Sequence, residues 1–146
     1  MKIYTIGFTQ KSAQDFFELL KNNNVDIVID IRLNNASQLA GFAKGKDLKY
    51  FLNKICDCEY DHNVLFAPTK DLLDAYRNKK ITWVDYERDF SKIMSERSIV
   101  NDFKNKYKKY KNVCLLCTEP TPNQCHRRLV AEFIKNSLND VEIVHI

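Results

Sequence analysis

The sequence predicts an α/β fold: a single three-layer domain over residues 1–146, with a mostly parallel sheet and helices on both faces. Three observations carry that expectation. The first 32 residues run strand, helix, strand, the order of a right-handed parallel crossover unit. Two later runs, 112–119 and 141–146, are apolar enough to be buried strands of the same sheet. Three glycines and three prolines are too few for the many turns of an all-β architecture.

Taken in order, "KIYTIGF" (2–8) is rich in β-branched and aromatic residues and reads as a strand ending at Gly7. Ser12 followed by Asp15 resembles a capping box, with Asp in place of the usual Glu or Gln. It opens a helix with Phe16, Leu19 and Leu20 inward, closed by the asparagines at 22–24. "VDIVIDIR" (25–32) is nearly continuous in apolar residues, the mark of a strand covered on both faces. The polar stretch "LNNASQLAGFAKGK" (33–46) is longer than a minimal connection, a length that often carries function. Asp47 is placed to cap a helix running to about Cys56, with Leu48, Phe51, Leu52 and Ile55 inward. Residues 59–66 form a short strand, Pro68 breaks the chain, and a helix follows near 70–78. Residues 82–97 and 98–110 form two helices or one long broken helix. No internal repeat, low-complexity segment or domain boundary interrupts the chain.

The composition, 45% apolar and 29% charged, is that of an ordinary globular domain. "MKIYTIGFTQ" has neither the long apolar core nor the cleavage site of a signal peptide, and no run approaches the ~20 apolar residues of a membrane span. The expected location is therefore the cytoplasm, with no membrane partner. Five cysteines, an odd number, favour free thiols over a disulfide framework. A net charge of +4 allows an anionic partner: a small molecule, a nucleotide or nucleic acid. The lysines at 104, 106, 108, 109 and 111 alternate with Phe103, Tyr107 and Tyr110. With Ile99 and Val100, those aromatics fall at helical spacing, so the lysines read as a solvated helix face rather than a nucleic-acid patch. No phosphate-loop or dinucleotide glycine pattern is present, and no cofactor is expected.

In open parallel sheets, ligands bind beyond the carboxyl ends of the strands. Three predicted strand ends carry unusual residues: Gly7 and Thr9; Asp30 and Arg32; and Glu119, followed by the run Cys125, His126, Arg127, Arg128. Thr121-Pro122-Asn123-Gln124 reads as a capping box with proline at the first helical position. A helix starting there puts His126 at the centre of an inward face formed by Leu129, Val130, Phe133 and Ile134. Cys125 and Arg127 then flank it, and Arg128 points away. In a functional reading, His126 is the acid or base, Asp30 or Glu119 orients it, and Arg32 and Arg127 hold an anion. Cys125 offers a thiol of lowered pKa, and Gly7 and Thr9 approach the ligand. Each residue also has a plainer account: a core histidine on a carbonyl, a structural Asp30–Arg32 pair, and Glu119 bonding the turn's N–H groups.

Two tighter motifs fail on spacing. Cys114 and Cys117, with Cys125 and His126, resemble a zinc set, yet 114 and 117 are an odd number apart within one strand and face opposite sides, so no metal site is expected. A phosphatase-type loop needs arginine six residues after the cysteine, but Asn123 follows Cys117 at that distance and Ala131 follows Cys125.

Together, "TIGFT", "VIDIR", "LLCTEPTPNQCHRRLVAEF" and the terminal "EIVHI" resemble the bacterial family known as domain of unknown function 488, from Thr5 to Ile146. The resemblance implies a compact α/β fold and a site built from the same three strand ends, without supplying an activity. The residues matching its pattern are Gly7, Asp30, Arg32, Cys117, Glu119, Cys125, His126 and Arg127. Phe8 stands where many members have His or Tyr, which removes any acid–base role there. The leading expectation is a hydrolase or group transferase acting on a phosphate-bearing ligand such as a nucleotide or nucleic acid. The alternatives are a non-catalytic anion- or nucleic-acid-binding module, and a thiol enzyme or redox sensor using Cys125.

Overall fold

The computed structural model describes residues 1–36 and 40–146; within the long loop at 33–46, residues 37–39 lie outside the described residues. Among the described residues, five strands and six α-helices follow one another as β1 (Lys2–Gly7), α1 (Ala13–Asn22), β2 (Ile27–Asp30), α2 (Gly45–Cys56), β3 (Glu59–His62), α3 (Lys70–Arg77), α4 (Trp83–Glu96), α5 (Ile99–Tyr107), β4 (Asn112–Cys117), α6 (His126–Ser137) and β5 (Glu142–His145). All four pairings are parallel, in the order β3-β2-β4-β1-β5.

The two faces of the sheet make two cores. Ile3, Ile27, Ile29, Val113 and Leu115 pack with Leu72, Phe90, Phe103, Val130 and Ile134 from α3 to α6. Tyr4, Ile6, Val28, Cys114 and Leu116 pack with Phe16, Phe17, Leu20, Leu48 and Leu52 from α1 and α2. Val113 and Cys114 thus face opposite sides, as strand alternation requires. The chain leaves β1 and β2 toward one face, whereas it leaves β4, lying between them, toward the other. A crevice therefore opens at the carboxyl end of β4, the topological switch point where α/β sheets bind ligands.

Several boundaries are set by local chemistry. Ser12 Oγ accepts from the Asp15 N–H at 3.0 Å and starts α1, as its sequence suggests. Phe17 rather than Leu19 completes the buried face of that helix. α2 begins before Asp47: Lys44 is its N-cap, the Gly45 N–H donates to the Asn35 carbonyl at 2.8 Å, and Asp47 sits in the first turn. Ile55, expected inward, is exposed. β3 stops at His62 because Asn63 caps a 3-10 turn over Val64–Phe66. Ser98, at φ 52°, breaks the 83–107 region into two helices. Ile99, Phe103 and Tyr107 form the buried stripe of α5, and its lysines are exposed.

The largest departure is the start of α6. The helix opens at His126, with Cys125 as N-cap, and the box expected from Thr121 does not form. Gln124 Oε1 instead accepts from the Tyr76 hydroxyl at 2.9 Å. Arg128 donates to the Asn123 carbonyl and to Glu87 and Glu132, so it is bridged rather than merely solvated. Among the described residues, no helix is long and apolar enough to cross a membrane.

Candidate functional site

At the end of β2, Asp30 is fully buried and accepts three bonds from Arg32: Nε at 2.8 Å, Nη2 at 2.6 Å and the backbone N–H at 3.1 Å. The Tyr60 hydroxyl gives Asp30 a fourth donor at 2.7 Å. Arg32 Nη2 also reaches the Ala43 carbonyl at 2.7 Å, and its guanidinium lies 5.1 Å over the Phe8 ring. Phe8 thus supplies a cation–π floor where acid–base chemistry is unavailable. Burial would lower the arginine's pKa, but the bond and charge of Asp30 outweigh it and raise it. Arg32 Nη1 is buried without a hydrogen-bond partner among the described residues.

At the end of β4, Cys117 turns toward α6. His126 Nε2 lies 2.8 Å from the Ile31 carbonyl, an acceptor only, so that nitrogen carries a proton. Nδ1 of the same ring faces Cys117 Sγ at 3.5 Å, where it accepts from a thiol or, protonated, donates to a thiolate. A backbone carbonyl of the β2 end, not a carboxylate, therefore orients His126. Arg127 is 1% exposed; its Nη1 donates to the Glu119 carbonyl and to Cys125 Sγ at 3.5 Å, and its Nε has no partner among the described residues. A Cβ on Gly7 would sit 1.7 Å from the Glu119 carbonyl oxygen and 3.0 Å from Arg127 Nη1. Glycine is required there by the close approach of the β4 loop. Thr9 Oγ1 ties the same loop by donating to the Thr118 carbonyl at 2.7 Å.

The two thiols are pushed in opposite directions. Burial presses the Cys117 pKa up, but the Cys125 thiol donating to it, the Thr118 and Glu119 N–H groups and the Arg127 charge bring it below the ordinary value. Cys125 is raised, first by that same bond to Cys117 and then by burial. The thiol of lowered pKa is thus Cys117, correcting the expectation at Cys125. The resemblance included Cys117 among its matching residues. Its place as the last residue of β4, on the α6 face, is what makes it chemically notable.

A cleft of about 380 Å³ opens at this edge, between the ends of β2 and β4 and helices α3 and α4. Arg32, Glu119, Cys125 and His126 line it, together with Cys117. Gly7, Thr9, Asp30 and Arg127 do not: they hold the loops and the guanidinium that shape it. Sequence reasoning missed the opposite wall, made by Lys70, Tyr76 and Arg77 of α3 with Trp83 and Tyr86 of α4. Lys70, Asp74 and Arg77 recur at helical spacing, but a polar helix face alone does not say that it borders a site. Trp83 stacks on Tyr86 at 4.9 Å with Tyr76 edge-on at 5.4 Å.

Cys117, Cys125 and His126 place three donor atoms within 4.8 Å of one another, a set that one divalent ion could bridge. The charge count opposes such an ion. A dication with two thiolates is neutral and would leave the buried Arg127 without a counterion, because no ion pair to it occurs among the described residues.

No curated protein and no solved structure matches the chain. The family described as Domain of unknown function DUF488 matches residues 12–134, from the N-cap of α1 through most of α6, with β1 and β5 outside the match. This span includes both halves of the cleft, and the chain belongs to the DUF488 family.

Proposed function

We propose that the protein is an enzyme of the hydrolase or group-transferase class, acting in the cytoplasm on a phosphate-bearing ligand of nucleotide type. The observation behind this reading is the composition of the cleft. Arg32, Lys70 and Arg77 offer cationic donors for phosphate oxygens, and Tyr76, Trp83 and Tyr86 form an aromatic wall suited to a flat base. The thiol–imidazole pair of Cys117 and His126 lines the same cleft. Arg32 is well suited to anion recognition because Asp30 fixes its fork in advance. Asp30 acts through Arg32 and is a positioning residue.

The test combines binding and turnover. Pyrophosphate and a panel of nucleotides should raise the thermal midpoint of wild type, and Arg77→Ala, an exposed position, should weaken that effect several-fold without unfolding the chain. Turnover of a panel member by wild type, lost in His126→Ala, supports an enzyme. Stabilisation with no turnover anywhere in the panel supports the anion-binding module instead. The absence of both stabilisation and turnover removes the phosphate-ligand reading.

A further inference from the structure

Arg127 poses a problem of charge. It is a fully buried guanidinium that forms no ion pair with a carboxylate among the described residues. Its bonds go to a carbonyl and to the sulfur of Cys125. An uncompensated buried cation is strongly unfavourable, so a stable fold needs an anion nearby. Asp30 is engaged by Arg32 and Tyr60. The remaining buried acidic groups at this end of the sheet are the thiols of Cys117 and Cys125.

Of these two, Cys117 holds the position of an acceptor. It terminates β4 with its sulfur 3.5 Å from His126 Nδ1 and within 4.8 Å of the Cys125 sulfur, to which Arg127 Nη1 donates. The Thr118 and Glu119 N–H groups favour its ionised form. His126 lies beside it, and Cys117 borders the same cleft as Arg32. We infer that Cys117 is a resting thiolate with Arg127 as its counterion, and that it is the nucleophile of this site. Cys125 is its hydrogen-bond donor and a positioning residue.

The nucleophilic part rests on the proposed phosphate-ligand chemistry; the thiolate part does not. In the step, the Cys117 sulfur supplies an electron pair to form a bond to the electrophilic atom of the ligand. That atom's bond to its leaving oxygen breaks, and the oxygen keeps the pair and takes a proton from water. The hydroxide so formed then attacks the same atom, releasing the hydrolysed group and restoring the thiolate. The net reaction consumes one water and needs no oxidant or reductant.

The experiment uses the intact, reduced protein. At about pH 6, an ordinary thiol is less than roughly 1% ionised, so ultraviolet thiolate absorption should show about one equivalent in wild type, retained in Cys125→Ser and lost in Cys117→Ser. Absorption of this kind does not depend on access to the sulfur. Alkylation with a haloacetamide at the same pH, mapped by peptide mass spectrometry, should label Cys117 before the more exposed Cys56. No thiolate band at this pH, or a band that survives Cys117→Ser, overturns the inference. Co-purifying zinc at one equivalent, lost in the same variant, also overturns it. A haloacetamido nucleotide then tests the ligand class separately: it should alkylate Cys117 at least tenfold faster than the plain reagent, and pyrophosphate should protect. If the thiolate band is present but this acceleration is absent, the phosphate-ligand reading and the nucleophile role built on it fail together, and the Cys117–Arg127 pair stands.

Discussion

Replacing Asp30 by Asn removes one charge and almost no volume, which makes it a clean probe of the site's framework. All four bonds reaching the carboxylate come from donors: three from Arg32 and one from the Tyr60 hydroxyl. An amide cannot accept all of them, because its NH₂ end must face a donor. The substitution also leaves the Arg32 guanidinium, 3% exposed, with no carboxylate partner. Breaking a buried pair from one side costs about 3–5 kcal/mol. For a chain of this size, each kcal/mol is worth about 2–4 °C, so the midpoint should fall by roughly 6–20 °C. Calorimetry or circular dichroism melting measures it. Asp30→Asn combined with Arg32→Met should lose less than the sum of the single losses, by at least about 0.5 kcal/mol, as expected of residues in contact. A midpoint within about 2 °C of wild type, or strict additivity, would refute the reasoning.

Gly7→Ala should also destabilise, because its Cβ would overlap the Glu119 carbonyl and disturb the Arg127 bond made there. Overpacking costs about 1–3 kcal/mol and a charge-assisted bond about 1.5–3, so urea unfolding should show a loss of about 3 kcal/mol or more. An alanine variant as stable as wild type would contradict that close approach. Alkaline pH should weaken the fold. Burial pushes the Cys58 thiol up to about 12 from an ordinary 9.0, and Tyr60 and Cys114 are raised by burial too. As pH rises above the ordinary thiol value, the unfolded chain releases protons that the folded chain keeps, so stability is lost. Urea midpoints should therefore be lower at about pH 10.5 than at pH 8, with a shallower decline in Cys58→Ala; equal slopes would count against this account. Cys117 acts with the opposite sign: its contribution is present above the ordinary thiol value and is lost as pH falls through its lowered folded one.

The architecture was legible because its strands are buried on both faces and read as continuous apolar runs, as in "IVIDI" and "VCLLC". That legibility extended to the edge where Asp30, Arg32, Glu119, Cys125 and His126 gather. Boundaries fixed by long-range bonds were not legible. The capping pattern at Thr121 is locally sound, yet Gln124 is drawn to Tyr76, 48 residues away in sequence, and α6 starts at His126 with Cys125 as its N-cap instead. The wrong helix start still directed His126 inward, because the apolar spacing of Leu129, Val130 and Ile134 sets that face whatever the first residue. Local pattern also could not divide the polar residues between lining and support. Arg32 borders the cleft and Arg127 does not, although both are arginines at strand or helix ends. That distinction depends on which carbonyls and rings the packed chain brings near each guanidinium.

Amide chemical shifts of the isotopically labelled protein, titrated with pyrophosphate and then with a nucleotide, test most directly whether this cleft is the ligand site. The account predicts changes concentrated at Leu33, Asn34, Thr118, Glu119, Gln124 and the cleft-lining turn of α3, with the nucleotide adding shifts at Tyr76 and Trp83. Changes confined to the exposed lysines of α5 and the following loop, with the cleft unmoved, would contradict it.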